Sequence, residues 1–374
     1  MKILYVYDAI ANWGGVQRIF VDKMNSLAAD YGAQVYLLTT NQGEHQFSYP
    51  LHPAVRYKDI QIQLHWQYRY KGLRRYWERF RRHRLLIKRL EKEIKRIQPD
   101  VIVSTIPLYI PELLKIKGKA KLVAESHSGY DHVMENDNIM WRRRIEARLL
   151  CRQLQKVDVL VSLTESDGRK WCSILQNVKV IPNLVNLNQT GHYSNYENKR
   201  VIFVGRFAHQ KSIPDLLRIW QKVHQRHPDW ELHMYGEGEH KDKLMREIEA
   251  MNANIVVHQP TQDILQQYIE SSIFVLTSLY EPFGLVIVEA MSCGLPVVTF
   301  EGDGPNAIVC DGKDGYIVAD RNIQAFADRV CQLIEDKELR QKIGQTAIQS
   351  AQRYSAERIM PMWKELFESL IGES

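Results

Sequence analysis

Short apolar runs alternate with amphipathic stretches along nearly the whole chain, and this alternation constrains the fold more than any other feature of the sequence. Each short run suits a buried strand. The stretches between them place apolar residues at helical spacing, as in Val16, Ile19, Phe20, Met24 and Leu27. Strands that alternate with helices are typical of parallel sheets covered by helices on both faces. The sequence therefore predicts an α/β protein with doubly wound sheets.

The chain is long enough for two domains. Its 374 residues exceed the roughly 250–300 at which a single core usually stops growing. A polar stretch at 184–199 interrupts the alternation and is the predicted linker. We expect an N-terminal domain at 1–183, a C-terminal domain at 200–355, and a last helix at about 356–374 that packs back on the first domain. The predicted strands are Ile3–Asp8, Val35–Thr40, Val101–Ile106, Lys121–Ser126, Val159–Thr164, Val178–Asn183, Val201–Gly205, Leu232–Tyr235, Ile255–His258, Ile273–Thr277 and Pro296–Phe300.

Composition argues against several classes of protein. Hydrophobic residues make up 45% and charged residues 25%, the balance of a folded globular protein rather than of a disordered or fibrous one. No apolar run approaches the roughly 18–20 residues of a membrane span, and the first one, which ends at Asp8, is too short for a signal-peptide core. We therefore expect a cytoplasmic protein. The five cysteines are scattered without a Cys-x-x-Cys pair, which argues against a disulfide framework or a zinc site.

Positive charge is concentrated in one segment. From Arg69 to Arg96 there are thirteen Lys and Arg against three Glu, a net charge of +10, so the rest of a chain that totals +6 carries −4. One interpretation is a helix that buries its apolar stripe on its own sheet and leaves a solvated basic face. The other is a segment that docks on an anionic membrane at the inner face of the cell membrane. The stripe consists of Leu73, Trp77, Phe80, Ile87, Leu90, Ile94 and Ile97.

A strand–turn–helix motif runs from Ser278 to Gly294. Glu281 precedes a Pro-Phe-Gly turn, and Glu289 follows eight positions later, about 12 Å away if both were on one helix. That spacing does not offer the paired carboxylates of a glycosidase. The free N–H groups at the helix start are suited to an anion, and a carboxylate such as Glu289 is suited to the hydroxyls of a ribose. The alternative is that Glu281 merely favours the helix start and that Glu289 is exposed.

Two further loops carry features of a phosphate site. Arg206 and Lys211 lie five residues apart in the loop that follows the strand ending at Gly205, where two cations would stabilise a diphosphate. Near the N-terminus, Gly14 and Gly15 allow backbone amides to approach a ligand just before a helix. The fingerprint Gly-x-Gly-x-x-Gly is absent there, which argues against a nicotinamide-cofactor enzyme.

Together these elements resemble glycosyltransferase family 4. The resemblance rests on Gly-Arg-(x)4-Lys, on Glu-(x)7-Glu with its Pro-Phe-Gly turn, and on Ile181-Pro-Asn183, Asp303-Gly-Pro305 and Asp311-Gly-Lys-Asp-Gly-Tyr316. It implies the GT-B fold, in which two doubly wound Rossmann-like domains face each other across a cleft. It also implies a retaining, nucleotide-sugar-dependent enzyme whose first domain binds mainly the acceptor and whose second domain binds mainly the nucleotide.

The resemblance assigns a role to each motif residue of the second half. Arg206 and Lys211 match the pair that binds the donor diphosphate, and Glu289 matches the acid that holds the ribose. Glu281 matches the acid beside the transferred sugar. The turn whose amides touch sugar and phosphate is matched by Phe283, Gly284 and Leu285.

Two residues of the first half also match the family. Gly15 matches the glycine that approaches the donor, and His127 matches a histidine at a strand end that points at the donor sugar. The sequence departs from the family at Ser212, where Gly is usual, and this change is expected to affect the loop backbone but not the charges. The expected catalytic residues are therefore Glu281, Arg206, Lys211 and His127.

The implied reaction moves a hexose or N-acetylhexosamine, with retained anomeric configuration, from a nucleotide sugar to a sugar acceptor. Family frequency favours UDP as the nucleotide, and family membership suggests a lipid-linked acceptor in bacterial surface polysaccharide synthesis. We expect no cofactor and no metal, since Arg206 and Lys211 supply positive charge and no Asp-x-Asp motif is present. The alternatives are a nucleotide-sugar epimerase or sugar phosphorylase of the same fold and, more distantly, a nucleic-acid-binding protein that uses residues 69–96. We do not expect a nucleic-acid partner.

Overall fold

The computed structural model describes residues 1–11, 14–134, 141–238 and 241–372. The chain divides into two compact units. The first consists of Met1–Leu184 together with the residues from Ile359 onward, and the second of Val185–Arg358. Each unit holds one sheet in which all paired strands of the described residues run parallel.

The sheet of the first unit has seven strands among the described residues, in the order β3-β2-β1-β4-β5-β6-β7. Its interior strands are buried on both faces, which is why they are mainly apolar. The sequence did not predict β3, because this exposed edge strand is polar throughout. The strands are β1 (Lys2–Tyr7), β2 (Gln34–Thr39), β3 (Arg56–Asp59), β4 (Val101–Thr105), β5 (Lys121–Glu125), β6 (Val159–Ser162) and β7 (Val178–Val180).

Helices cover this sheet with their apolar faces. In α1, the residues Ile19, Phe20, Met24 and Leu27 are buried, as their helical spacing predicts. The described helices of the first unit are α1 (Gly15–Ala29), α2 (Gly72–Ile97), α3 (Ile110–Ile116), α4 (Tyr130–Met134), α5 (Trp141–Leu154) and α6 (Glu165–Cys172). The residues from Ile359 onward add most of the last helix, α14 (Ala356–Gly372).

Helix α2 divides its apolar stripe between core and surface, so the interpretation that buries the whole stripe on the sheet is wrong. Leu86, Leu90, Ile94 and Ile97 are buried in the core of the first unit. The first two turns place Leu73, Trp77 and Phe80 in solvent instead, with 88%, 59% and 60% of their surface exposed. Among the described residues, no helix combines the length and apolar character needed to cross a membrane.

The second unit has a six-stranded sheet within the described residues, in the order β10-β9-β8-β11-β12-β13. Its strands are β8 (Arg200–Val204), β9 (Glu231–Tyr235), β10 (Ile255–His258), β11 (Ile273–Leu276), β12 (Val297–Phe300) and β13 (Gly315–Val318), of which only β13 was not predicted. The helices are α7 (Ile213–Arg226), α8 (Lys241–Met251), α9 (Ile264–Ile269), α10 (Leu285–Ser292), α11 (Asp303–Ile308), α12 (Ile323–Glu335) and α13 (Lys337–Ala351).

The segment predicted as a linker, 184–199, is packed for most of its length into the second unit. Tyr196 is buried, and its carbonyl accepts a hydrogen bond of 2.8 Å from Arg340. The Ser194 N–H donates to the carbonyl of Cys293 over 3.0 Å. Residues 185–199 therefore belong to the fold of that unit rather than forming a free connection.

Each sheet has one point at which the strand order reverses. In the first sheet it lies between β1 and β4, and in the second between β8 and β11. Ligands of doubly wound proteins bind outside the carboxyl ends of the strands at such a switch point. In the second sheet, this is where the loops containing Arg206, Lys211 and Glu281 begin.

Candidate active site

An ion pair joins the loops that follow β8 and β11. The short helical turn His209–Lys211 brings Nζ of Lys211 to 2.5 Å from Oε2 of Glu281. The two side chains are only 13% and 12% exposed. The Ser278 hydroxyl donates to the same carboxylate oxygen over 3.0 Å. Lys211 and Glu281 therefore form one partly desolvated unit rather than two separate surface charges.

Arg206 differs from its neighbour in being exposed. Within the described ranges, its side chain makes no hydrogen bond or ion pair. The loop that carries it is nevertheless fixed, because the Phe207 N–H donates to the Glu237 carbonyl over 2.9 Å and Gly205 donates to Tyr235 over 3.0 Å. Among the described residues, the guanidinium is thus a positive charge without an ionic partner, on a loop held by backbone hydrogen bonds.

Glycines after β9 permit this close approach of two loops. A Cβ at Gly236 would lie 2.0 Å from the carbonyl oxygen of Gly205, and a Cβ at Gly238 would lie 2.2 Å from that of Phe207. Side chains at these positions would push the Arg206 loop away. The Gly236-Glu-Gly238 sequence is therefore needed to build the loop pair.

Ser212, where the sequence departs from the family's usual glycine, has a left-handed backbone. Its φ of 44° and ψ of 55° are left-handed, and it is the residue that precedes α7. The hydroxyl donates to Oδ2 of Asp215 over 2.8 Å. Ser212 therefore takes up a left-handed conformation that glycine adopts at less cost.

The Pro-Phe-Gly turn places Glu281 just before α10. Gly284 has a φ of 103°, which only glycine adopts readily. The turn is pinned to the start of α11, where Gly304 donates to the Glu281 carbonyl over 2.9 Å, and a Cβ at Gly304 would lie 2.0 Å from the Phe283 carbonyl oxygen. In the described part of the chain, the N–H groups of Phe283, Gly284 and Leu285 have no hydrogen-bond acceptor.

Glu289 lies inside α10 and is only 4% exposed, so the alternative of an exposed residue is wrong. The Tyr268 hydroxyl donates to its Oε2 over 3.3 Å. The negative charge of Glu289 adds to burial in raising the pKa of the adjacent Cys293 thiol to about 12. A carboxylate held at this depth needs donors, and Tyr268 supplies one of them.

His127 of the first unit belongs to a buried chain of charged groups. Its Nε2 lies 2.8 Å from Oε2 of Glu125, the last residue of β5. Both carboxylate oxygens of Glu125 lie 2.5 Å from Nζ of Lys23 on α1. Burial opposes ionisation of Glu125, but the Lys23 ammonium and the His127 hydrogen bond outweigh it and lower the pKa of that carboxyl. Since a carboxylate only accepts, Nε2 carries a proton and donates.

Lys23 is enclosed by aromatic rings as well as by Glu125. Its Nζ lies 4.0 Å from the ring centre of Trp363 on α14 and 5.0 Å from that of Phe20. Burial of an ammonium needs such compensation. The packing fixes Glu125 and, through it, the ring of His127.

The structure brings several expected site residues together within the second unit, and it places two others in the first unit. Lys211 contacts Glu281, and the turn at Phe283, Gly284 and Leu285 follows directly in the second unit. Gly15 opens α1 and His127 follows β5, both within the first unit. Sequence reasoning did not assign Lys23 and Glu125, which are paired across 102 positions, or Ser278 and Gly304. The sequence indicates these residues only by their positions next to strand ends or motif residues. In the described ranges, no three His, Cys, Asp or Glu side chains form a group that could hold a metal ion.

Comparisons with known proteins agree with this architecture. Over its whole length the chain is 26% identical to the amylovoran biosynthesis glycosyltransferase AmsD of Erwinia amylovora, covering 98% of this chain and 99% of that one. It is also 26% identical to a poly(ribitol-phosphate) alpha-N-acetylglucosaminyltransferase of Staphylococcus aureus, over 75% of this chain and 57% of that one.

Solved structures show the same fold. The crystal structure of TarM superposes with a TM-score of 0.81 at 18% identity, covering 98% of this chain and 99% of that one. Anabaena HepE in complex with UDP superposes with a TM-score of 0.75 at 17% identity, covering 99% and 100%.

Family models match the two halves of the chain in turn. The model for Glycosyltransferase Family 4 matches residues 13–189, and that for Glycosyl transferases group 1 matches residues 188–350. Together with the two parallel-sheet units and the full-length relative, these matches show that the chain is a glycosyltransferase of the family 4 type with the GT-B fold.

Proposed function

We propose that the chain transfers a hexose or N-acetylhexosamine from a UDP-linked nucleotide sugar to a carbohydrate acceptor, with retention of the anomeric configuration. The observation that carries this proposal is the Lys211–Glu281 pair beside the exposed, uncompensated Arg206 at the switch point of the second sheet. A lysine ammonium has three donors, and the pair uses one of them, so Lys211 keeps two for a diphosphate. Arg206 adds a planar fork that suits phosphate oxygens.

These two cations would act mainly on the leaving group. As the bond between the anomeric carbon and the diphosphate breaks, negative charge grows on the departing nucleotide, and fixed positive charges stabilise it. The acceptor oxygen attacks from the same face, and its proton passes to the leaving phosphate oxygen. Arg206, Lys211 and the N–H groups at the start of α10 together offset the diphosphate charge, so the proposed reaction has no need of a metal ion or other cofactor.

The remaining site residues would orient the donor. We assign Glu281 to a hydroxyl of the transferred sugar and the free N–H groups of Phe283, Gly284 and Leu285 to sugar and phosphate oxygens. Glu289 accepts from the ribose hydroxyls. In the first unit, Gly15 lets the backbone approach the donor. The proton on His127 Nε2 is directed at Glu125, so in the neutral ring Nδ1 is free to accept from a sugar hydroxyl.

The relatives support a bacterial surface polymer as the acceptor. One is named for amylovoran biosynthesis and another for N-acetylglucosaminyl transfer to poly(ribitol-phosphate). The superposed HepE structure contains UDP, which supports uridine as the base. We propose a lipid-linked sugar of bacterial surface polysaccharide synthesis as the acceptor of this chain.

An enzyme with a lipid-linked acceptor would act at a membrane, and α2 has a surface suited to binding that membrane. Leu73, Trp77 and Phe80 project into solvent from a segment of net charge +10. Arg81 and Arg84 stack over the Trp77 and Phe80 rings at 5.6 and 5.7 Å. Exposed aromatic and aliphatic side chains surrounded by arginines suit the interface of an anionic membrane. We propose that the enzyme is cytoplasmic and binds peripherally to the inner face of the cell membrane.

Incubation with labelled nucleotide sugars, with and without carbohydrate acceptors, tests the reaction. A transferase should form a labelled glycoside only when acceptor is present, and the anomeric coupling constant of the product should match that of the donor. An epimerase would alter the nucleotide sugar without acceptor, and a phosphorylase would require inorganic phosphate. Either result, or a product of inverted configuration, would contradict the proposal.

A further inference from the structure

A hydrogen-bonded carboxylate lies at the switch point of the first sheet. Asp8 directly follows β1 at its carboxyl end, and β1 lies between β2 and β4, where the strand order reverses. This is the position at which doubly wound sheets bind ligands. The nucleotide residues proposed above belong to the second unit, apart from Gly15 and His127, so the role of Asp8 is unassigned.

One oxygen of Asp8 is held by its own chain. Its Oδ1 lies 3.0 Å from the hydroxyl of Thr40 and 3.1 Å from that of Tyr109, and the side-chain amide of Asn41 also donates to it. The two hydroxyls lie 2.6 Å from each other. The two hydroxyls have one proton each, and at most one of these protons can lie between the two hydroxyl oxygens. At least one hydroxyl therefore donates to Oδ1, in addition to the Asn41 amide.

The groups that hold Oδ1 are themselves fixed. The Leu64 N–H donates to Oδ1 of Asn41 over 3.2 Å, which turns the Asn41 amide nitrogen towards Asp8. The N–H groups of Thr40 and Asn41 donate to the Asp8 carbonyl over 3.0 and 2.9 Å. Burial and the neighbouring Asp8 charge raise the pKa of Tyr109, so its phenol stays protonated and able to donate. Asp8 is therefore oriented before any ligand binds.

The second oxygen, Oδ2, differs from Oδ1 in its contacts. Within the described ranges it has no hydrogen-bond partner, and Asp8 as a residue is only half-buried. Asp59, at the end of the edge strand β3, provides a contrast. Its Oδ1 accepts from Thr39 and Gln61 over 3.1 and 3.2 Å, and its Oδ2 accepts from Gly43 over 2.9 Å. In the described parts of the chain, both oxygens of Asp59 accept hydrogen bonds, but only one oxygen of Asp8 does.

We propose that Oδ2 of Asp8 binds a hydroxyl group of the acceptor sugar, which makes Asp8 an acceptor-binding residue of the first unit. The inference rests on the proposed transferase function, since only a second sugar substrate needs such a site. Because Oδ1 is held in place by hydrogen bonds, the lone pairs of Oδ2 also have a fixed direction. A charged carboxylate oxygen forms stronger hydrogen bonds with hydroxyl groups than a neutral oxygen does. The group positions the acceptor and takes no part in bond breaking.

Binding of simple glycosides to the full chain tests this inference. The probes are the methyl glycosides of glucose, galactose and N-acetylglucosamine, measured by ligand-observed NMR in the presence of UDP. We expect wild type to bind at least one of them and Asp8→Asn to weaken that binding about tenfold or more. The matched control is Asp59→Asn, which removes an equivalent charge two strands away in the same sheet and should leave the affinity within about twofold of wild type.

Each other outcome overturns the inference. These outcomes are wild type binding none of the three glycosides, Asp8→Asn binding like wild type, and Asp59→Asn weakening binding as strongly as Asp8→Asn. Melting temperatures of both variants show whether either change has unfolded the first unit. UDP binding is measured separately. If wild type does not bind UDP, the proposed function is wrong. If UDP binding is normal and Asp8→Asn has unchanged affinity for the glycoside, only the role of Asp8 is wrong.

Discussion

Nζ of Lys211 lies 2.5 Å from Oε2 of Glu281, a residue 70 positions further along the chain. The contact ties the loop after β8 to the loop after β11, and two other hydrogen bonds reinforce it. Leu279 donates to the Gln210 carbonyl over 2.7 Å, and Thr277 donates to the Lys211 carbonyl over 2.9 Å. Lys211 therefore has a structural role in addition to its proposed role at the diphosphate, whereas Arg206 has no such partner in the described ranges.

Replacement of the two cations should separate these roles. We expect Arg206→Ala and Lys211→Ala each to reduce turnover about a hundredfold or more, because each removes a positive charge that stabilises the leaving diphosphate. Only Lys211→Ala should also lower stability, by about 1–3 kcal/mol, since it leaves the partly buried Glu281 without its ammonium. Steady-state kinetics and denaturant unfolding measure the two effects.

An exposed arginine of the same unit provides the control for this pair. Arg218 lies on α7 with its side chain 70% exposed, and Arg218→Ala should change neither turnover nor stability appreciably. Near-normal turnover in Arg206→Ala or Lys211→Ala would show that the diphosphate assignment is wrong.

Glu289→Gln should weaken nucleotide binding more than it slows the chemical step. A ribose contact is the same in the ground state and the transition state, so its loss affects affinity about tenfold and the rate constant of transfer little. Gln keeps the shape of the buried side chain and can still accept from Tyr268. Titration calorimetry with UDP gives the affinity, and equal affinities for wild type and variant would remove Glu289 from the site.

The sequence predicts those elements of the fold that burial makes apolar. Interior strands such as β4, buried at every position and mainly apolar, are found from sequence alone. The edge strand β3 contains only Arg, Tyr, Lys and Asp, because one side of it has no neighbouring strand and its side chains are exposed. No local pattern distinguishes such a strand from a loop.

The candidate site was predictable where its residues are close in sequence and not where the fold joins distant ones. Motif spacing identifies Glu281 and Lys211, but not the 2.5 Å contact between them. The Lys23–Glu125 pair could not be predicted, because two isolated charges in apolar surroundings give no sign that they meet in the core. Pairing of this kind depends on how β5 and α1 are placed by the tertiary fold.

Ser212 offers a test of the loop backbone after β8. A non-glycine residue in the left-handed region costs about 1–2 kcal/mol, whereas glycine adopts it freely. Ser212→Ala and Ser212→Gly both lose the hydrogen bond to Asp215, but only the glycine variant also relieves the backbone. We expect the glycine variant to be more stable than the alanine variant by about 1 kcal/mol in denaturant unfolding. Equal stabilities would contradict the left-handed conformation.

His258 should make stability of the second unit depend on pH. Burial, then the neighbouring His233 and Arg200, lower the pKa of His258, whose ring stacks on that of Tyr235 at 4.3 Å. Burial likewise lowers the pKa of His233, although the hydrogen bond that its ring donates to Glu231 opposes the shift. The unfolded chain therefore binds protons at a higher pH than the folded one.

Acidification should destabilise the second unit through His258. The contribution of His258 to stability is fully present above its unfolded pKa of about 6.5 and is lost as the pH falls below that value. The melting temperature of wild type should drop between pH 7.5 and pH 5.5, and His258→Gln should show a smaller drop. The exposed His192 provides the control, since His192→Gln should retain the wild-type dependence. An identical pH profile for His258→Gln would disprove the prediction.

Membrane binding through α2 should require both its charges and its exposed apolar side chains. Each Lys or Arg near an anionic surface contributes about 1 kcal/mol, and this attraction weakens as salt rises. Wild type should therefore sediment with vesicles containing phosphatidylglycerol and stay in solution with neutral phosphatidylcholine vesicles. The charge variant replaces Arg74, Arg75, Arg79 and Arg84 with Gln. It leaves out Arg82, because that side chain is buried and donates to the Ile62 carbonyl over 2.8 Å.

Control variants outside α2 test whether vesicle binding depends on α2 itself or only on the total charge and apolar surface of the protein. The charge variant, and a variant with Ser at Leu73, Trp77 and Phe80, should each lose most of the vesicle-bound fraction, since insertion of the apolar side chains follows electrostatic attraction. Two controls remove equal numbers of exposed groups outside α2, with Gln at Arg218, Lys313, Arg358 and Lys364 or Ser at Leu149, Tyr193 and Met362. Both controls should sediment like wild type. If they are released as readily as the α2 variants, or if wild type binds neutral vesicles equally well, α2 is an ordinary solvated surface and the acceptor need not be held in a membrane.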